Sequence, residues 1–233
     1  MKFLNISELE ESIETINIIH AAKQVALQIE KNYTAPAWMV EPKYHNRLHT
    51  ADALTSMSIL LAIQSKKQVV LNKPWIACAL LTVMAHDYGH TGKINHFESE
   101  IEMNTMRLLR PILDDSNIDE KWYLAMKNSI VKSDFSIVHK NHDQVKGQKF
   151  ECSQEWMALF LNESDVMASA SEKFGPALGK ALAREWEVIG LPTHQTVATL
   201  QGRKAFLTDL IFSSEAANDL EMNQRVAKEL SQL

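Results

Sequence analysis

Glycine and proline are scarce in this 233-residue chain, at 7 and 6 residues. Leu, Ala, Glu, Lys and Met are plentiful, a balance that favours helices over strands. Alternation with period two is absent over any useful length, which argues against a sheet protein. Cysteine is nearly missing. Cys78 and Cys152 are too few for a disulfide framework and lack metal-site spacing. Cys78 lies in an apolar run and reads as a small buried hydrophobe. A reducing, cytoplasmic setting is therefore expected. Positive charge is not in excess: the formal net charge is −5. That argues against a chain that coats nucleic acid or an anionic membrane. A small anionic ligand stays admissible, because a bound metal can invert the local field. Long hydrophobic runs are absent too, since the longest, Trp75 to Ala85, is too short to span a bilayer. Met1 to Ile13 shows no cationic start followed by an apolar run, so no signal peptide is expected.

What is present is helical periodicity, in a length at the upper end of the single-domain range. Ile13, Ile16, Ile19, Val25 and Leu27 predict one or two opening helices over 6–30, broken by Ala35-Pro36 and Glu41-Pro42. Periodicity resumes from His45 to Leu61. Asn72-Lys73-Pro74 is a helix-start signal, with a cap residue and Pro in the first turn. The run it opens, Trp75 to Met84, is apolar nearly all round and predicts a central buried helix. A helix is predicted over 97–109, stopped by Pro111, and others over 119–133, 153–170, 175–189, 194–212 and 215–231. The polar stretch 139–149 reads as a loop. No repeat or low-complexity linker divides the chain, so one all-α domain is expected, with residues 1–43 too few for a separate sensory module.

Four metal-capable side chains stand in three of these segments. His45 and His49 are four apart and project from one helix face. Either can be a ligand, the other then being a neighbouring acid or base; the plain alternative is surface decoration. His86-Asp87 closes a nearly unbroken apolar run, and a carboxylate there needs compensation. A cation, a helix cap or a buried Arg would each supply it. Asp165, between Leu159-Phe160-Leu161 and Val166-Met167-Ala168, reads by itself as an exposed helix position. Taken together, His49, His86, Asp87 and Asp165 make a mixed N/O shell. It suits Zn²⁺, Mn²⁺ or Fe²⁺, and a spare aspartate oxygen can reach a harder Mg²⁺.

The residues around these positions carry a resemblance. Tyr44-His45-Asn46-Arg47-Leu48-His49-Thr50-Ala51-Asp52-Ala53 resembles the Tyr-His-Asn-x-x-His-Ala-x-Asp-Val signature of class I 3′,5′-cyclic nucleotide phosphodiesterases. His86-Asp87-Tyr88-Gly89-His90-Thr91-Gly92-Lys93-Ile94-Asn95 is similar to that family's His-Asp-x-x-His-Pro-Gly-x-x-Asn segment, with Thr91 in place of Pro. Ser133-Asp134-Phe135 resembles its Thr-Asp-Met element, and Ser164-Asp165-Val166 its Ala-Asp-Ile/Leu element. Arg184-Glu185-Trp186-Glu187 with Gly190 is similar to the Glu-Phe…Gly region that follows. The likeness runs in order from about residue 44 to 212. It implies a compact HD-type fold: a catalytic core over 44–212, N-terminal helices over 1–43 and a C-terminal helix over 213–233.

The resemblance further implies that His49, His86, Asp87 and Asp165 hold a tighter metal, usually zinc. Asp87 would bridge to a second, usually magnesium, and water between them would attack phosphorus. His45 matches the general acid that protonates the leaving 3′ oxygen. Asn46, His90, Asn95 and Asp134 match positions that orient ligands and waters. Glu98 falls where the family's Leu-Glu-Asn-His-His glutamate stands, although the two histidines of that element are Glu100 and Ile101 here. Tyr44, Arg203 and Phe206 fall at substrate-facing positions, Phe206 as the ring that stacks on the base. The family's base-contacting Asn is Ala168 here, and its purine-reading Gln is Arg203, with Gln201 misplaced by two. Arg can donate hydrogen bonds but not accept them, so discrimination of adenine from guanine is expected to be poor. The expected activity is hydrolysis of cyclic AMP, cyclic GMP or both to the 5′-monophosphate, a signal-transduction role. The competing expectations are an HD phosphohydrolase for another phosphoester, and a nucleotide-binding module without turnover.

Overall fold

Helix-capping residues mark most of the helix starts along the chain. A computed structural model describes residues 12–34, 40–67 and 71–233, and among them every regular element is helical. Ser12 caps α1 (Ile13–Tyr33), Asn46 caps α2 (Arg47–Gln64) and Asn72 caps α3 (Lys73–Ala85), each accepting a backbone N–H of the first turn. Asp119 does the same for α5 (Glu120–Val131) and Ser153 for α7 (Gln154–Met167). The expected break at Ala35-Pro36 lies outside the described residues. No helix among the described residues is long and apolar enough to cross a membrane.

The core is built around two helices that are buried nearly all round. α3 buries Trp75, Ile76, Ala77, Cys78, Ala79, Leu81, Val83 and Ala85, and α7 buries an unbroken run from Trp156 to Ser164. α1, α2, α5 and α7 pack on α3, while α2, α5 and α6 (Val138–Val145) pack on α7. Rings of Trp75, Phe150, Trp156 and Phe160 meet edge-on or tilted where α3 and α7 adjoin. Burying such side chains contributes about 1.5–3 kcal/mol apiece. The consequence for function is geometric: α3 and α7 are held rigidly, and so are the residues at their C-terminal ends.

Three segments depart from the sequence expectation. Pro111 does not stop α4 (Glu100–Asp115) but sits inside it. Met106, Leu109 and Leu113 bury one face on either side of Pro111, and that packing outweighs the roughly 3 kcal/mol a mid-helix proline costs. The first part of the polar stretch expected to be a loop, residues 139–145, belongs to α6, because its polar groups are bonded inward, while 146–149 lie outside any helix. Asn141 donates to Lys132 O at 2.7 Å and to Asn162 Oδ1 at 2.7 Å, while Val145 enters the core. The C-terminal pattern is divided further. After α8 (Gly175–Val188) come α9 (His194–Val197) and α10 (Leu200–Asp209), restarted by the Thr199 cap. α11 (Glu215–Asp219) and α12 (Met222–Leu230) are separated by Glu221 at φ 57°.

His142 of α6 is buried, with Nδ1 2.7 Å from Ser213 Oγ, and burial followed by the nearby His139 pushes its pKa down to about 4. In the unfolded chain an imidazole titrates near 6.5. Between those values the unfolded state binds the proton and the folded state does not, so stability falls as pH drops from about 6.5 towards 4. The part of the loss between pH 7 and pH 5 that comes from His142 should be about 2 kcal/mol. Urea unfolding at the two pH values tests this: His142→Asn should lose less than the native chain, and equal losses would show that His142 is not the group responsible.

Candidate active site

Three helix ends bring the sequence-singled residues together. His49 stands in the first turn of α2, where the Asn46 side chain accepts the N–H groups of Leu48 and His49 and donates to Lys43 O. His86 caps the C-terminus of α3, and its Nδ1 donates to Val83 O at 2.6 Å. A carbonyl can only accept, so the proton is fixed on Nδ1 and the Nε2 lone pair faces forward. Asp87 follows directly, and Asp165 lies in the last turn of α7.

His49 Nε2 is 2.8 Å from Asp165 Oδ1 and 3.4 Å from Asp87 Oδ2; His86 Nε2 is 3.3 Å from each carboxylate. A tetrahedral cation with bonds of about 2.0–2.1 Å spaces its donors about 3.3–3.4 Å apart. Moreover, His49 Nε2, His86 Nε2 and Asp87 Oδ2 are buried with no hydrogen-bond partner. Orphaned buried donor atoms converging at ligand spacing fit a divalent metal.

The charge balance agrees with that fit. Burial would raise the carboxyl pKa values of Asp87 and Asp165, but His86 and then the other neighbouring imidazoles hold both well below the ordinary range. Burial likewise opposes charge on the imidazoles. For His86 the two carboxylates win and raise it to about 9, and for His49 Tyr44, Asp165 and Asp87 win. The cluster thus favours positive charge, and the C-terminal dipoles of α3 and α7 act in the same sense.

A second group stands beside it. His45 Nδ1 lies 2.5 Å from Glu185 Oε1, while Glu185 Oε2 accepts the backbone N–H groups of Tyr44 at 2.7 Å and His45 at 3.0 Å. Burial alone would raise the Glu185 pKa, but the bond to His45 and these N–H donors hold it below the usual carboxylate range. His45 is stacked on His90, ring centroids 3.8 Å apart. Burial, then the His45 charge, push His90 down to about 4. The N–H of Gly92 donates to its Nδ1 at 3.0 Å, which puts the His90 proton on Nε2. Only glycine suits position 92: φ is +77°, and a Cβ would stand 2.8 Å from Glu185 Cγ. His45, His90 and Glu185 also lie within ligand reach of one another. Hydrogen bonds already engage both Nδ1 atoms and Glu185.

The remaining residues divide. Asp134 accepts from Ser99 N at 2.8 Å, Ser136 N at 2.9 Å and Asn95 Nδ2 at 3.0 Å, so it and Asn95 fasten the segment between His90 and α4. Tyr44 packs its ring 4.8 Å from His45 and 4.9 Å from His49 and bonds its hydroxyl to Ser169 Oγ at 2.8 Å. Glu98 is a correction: it is exposed, paired with Lys140 at 3.1 Å, and takes no part in the cluster. The carboxylate turned inward is Glu102, bonded to Asn95 at 2.9 Å; its pKa is raised by burial first, then by Asp134 and Asp87. Nothing in the sequence separates it from Glu98 or Glu100. Arg203 is a second correction, since its donors go to Glu229 and to backbone carbonyls instead of an open base pocket. Phe206 stacks near-parallel on Phe135, with centroids 6.4 Å apart. Glu185 went without a role at the sequence level, its only signal being the Glu-Phe…Gly likeness.

Residues 44–148 match the family of 3′5′-cyclic nucleotide phosphodiesterases. That match takes in 105 of the chain's 233 residues. The chain is 27% identical over 126 residues to a cGMP-specific 3′,5′-cyclic phosphodiesterase delta of Plasmodium falciparum (isolate 3D7). That stretch is 53% of this chain and 15% of the relative, so the chain spans a small part of that protein. The fold is that of LmjPDEB1 solved in complex with IBMX, with a TM-score of 0.71 over 97% of this chain and 83% of the other at 13% identity. The matched segment holds His45, His49, His86, Asp87 and His90, while Asp165 and Glu185 lie beyond it.

Proposed function

We propose that the chain hydrolyses a 3′,5′-cyclic purine nucleotide, cyclic AMP, cyclic GMP or both, to the 5′-monophosphate. The observation that carries this is the adjacency of two arrays: a His49–His86–Asp87–Asp165 donor set in which His49 Nε2, His86 Nε2 and Asp87 Oδ2 are orphaned, and an imidazole, His45, backed by an ionised carboxylate. His49, His86, Asp87 and Asp165 would hold zinc, or manganese or iron, and Asp87 with a spare oxygen would reach magnesium. Bound there, divalent cations supply a nucleophilic water at neutral pH and neutralise phosphate charge.

The chain's own residues do the rest. Glu185 keeps the proton on His45 Nδ1 and stabilises positive charge on the ring, leaving Nε2–H to protonate the leaving 3′ oxygen. His90, held neutral, stacks against that ring without adding a competing charge. Asn95 and Asp134 keep the segment after His90 in place. Phe206 with Phe135 offers a stacking face for the base, a contact that tolerates any base. The free thiols, one buried and one half-buried, accord with a reducing, cytoplasmic setting. Action on another phosphoester is favoured by two observations, Ala168 in place of the family's amide and Arg203 committed elsewhere.

A turnover screen of cyclic AMP, cyclic GMP, cyclic dinucleotides and simple phosphomonoesters, with Mg²⁺ and Mn²⁺ present, tests the reading. Release of 5′-AMP or 5′-GMP is expected. Turnover of phosphomonoesters alone would establish the other phosphohydrolase reading instead.

A further inference from the structure

Arg203 occupies the position from which the family reads the purine, yet it points elsewhere. Its side chain is 11% exposed and its partner Glu229 8%. The pair is bidentate, with Nε donating to Oε1 at 2.8 Å and Nη2 to Oε2 at 2.9 Å. Nη1 donates to Ser169 O, and Nη2 lies 3.4 Å from Ala170 O and 3.3 Å from Ser171 O. These carbonyls belong to the turn that follows α7, and a cation is favoured just beyond a helix C-terminus. Position 175 accommodates the arrangement: a Cβ there would stand 2.3 Å from Arg203 Nη1 and 2.4 Å from Ser169 O, so glycine leaves the space the guanidinium fills.

The contacts continue into the site. Ser169, whose carbonyl Arg203 grips, bonds through Oγ to the Tyr44 hydroxyl, and Tyr44 packs on His45 and His49 and donates its N–H to Glu185. Asp165 is four residues before Ser169. We propose that Arg203 is a positioning residue: clamped by Glu229 of α12, it fixes the turn after α7 and, through Ser169 and Tyr44, the setting of His45 and His49. The catalytic consequence rests on the phosphodiesterase reading, whereas the clamp itself does not. Nε and Nη2 are committed to Glu229 and Nη1 to Ser169 O, so the fork is turned away from any base edge, and a base-reading role at position 203 is replaced by a base-independent one.

The test uses the full chain carrying Arg203→Gln, Arg203→Lys, Ser169→Ala and the Arg203→Gln/Ser169→Ala double change. Hydrogen exchange followed by mass spectrometry should show segment 168–175 exchanging about tenfold faster in Arg203→Gln, with α3 unaltered. For both cyclic AMP and cyclic GMP, kcat should fall about tenfold with KM shifted less than about threefold, because misplacement of reacting groups acts on the chemical step. The ratio between the two nucleotides should not move. Lysine, lacking the fork, should not restore kcat. The double variant should be no slower than Arg203→Gln alone, since both act through one contact chain. A change in the nucleotide ratio, or a rise in KM alone, would return Arg203 to base reading and overturn the proposal. Unchanged exchange over 168–175 would remove the clamp. If the native chain turns over neither nucleotide, the phosphodiesterase reading fails, and the exchange measurement still decides whether Arg203 holds the turn.

Discussion

Asp87→Ala should leave the chain short of at least one metal equivalent and lower turnover on the order of 10³-fold or more. Two features of Asp87 set the scale. Its Oδ2 lies 3.4 Å from His49 Nε2 and 3.3 Å from His86 Nε2, so it belongs to the tight donor set. That oxygen is also buried without a hydrogen-bond partner, so removal of the side chain leaves the cluster short of a carboxylate that no neighbour replaces. A cation that polarises phosphate oxygens contributes several kcal/mol to the transition state, and about 4 kcal/mol corresponds to 10³ in rate. Glu98→Ala is the control, because that residue is exposed and paired with Lys140; it should change neither metal content nor rate. Elemental analysis of the dialysed variants decides the matter without any assay of turnover. Undiminished metal in Asp87→Ala would remove Asp87 from the ligand set.

Residues whose role is local were legible in the sequence, and residues whose role depends on distant partners were not. The cap Asn72 acts within three residues, and the run from Trp75 onwards is apolar on nearly every face, so the central helix could be placed from its own composition. Pro111 misled because the helix around it is held by Met106, Leu109 and Leu113, whose partners are far along the chain. Segment 139–149 misled for a related reason. Its polarity is that of a loop, but Asn141 and His142 bond to residues 162 and 213. The candidate site shows the same division. His49 and His86-Asp87 were found by pattern, while Glu185 meets His45 across 140 residues and Glu102 differs from its neighbours only in the direction it faces. Arg203 shows the limit most plainly: a positional likeness assigned it to the base, and Glu229 on the last helix takes it away.

His45→Ala should retain its metals and lose roughly 10²–10⁴-fold in kcat on a cyclic nucleotide, the range a positioned general acid contributes. The separation from metal binding follows from geometry. His45 Nδ1 is engaged by Glu185 at 2.5 Å, and the ring is stacked on His90 outside the orphaned donor set. His49→Ala should behave in the opposite way and lose metal, since His49 Nε2 sits within the donor set, 2.8 Å from Asp165 Oδ1 and 3.4 Å from Asp87 Oδ2. Leaving-group chemistry supplies the sharper test. A 3′ alkoxide must be protonated as it departs, whereas a nitrophenolate departs unaided, so a nitrophenyl phosphodiester should be affected far less by His45→Ala. Glu185→Gln should fall on the same side as His45→Ala, with metal kept and the cyclic nucleotide affected more than the nitrophenyl ester. A neutral amide still accepts the Nδ1 proton but no longer stabilises the charged ring, so its loss should be the smaller of the two. Equal losses on both substrates in His45→Ala would show that this imidazole orients the site and does not deliver the proton.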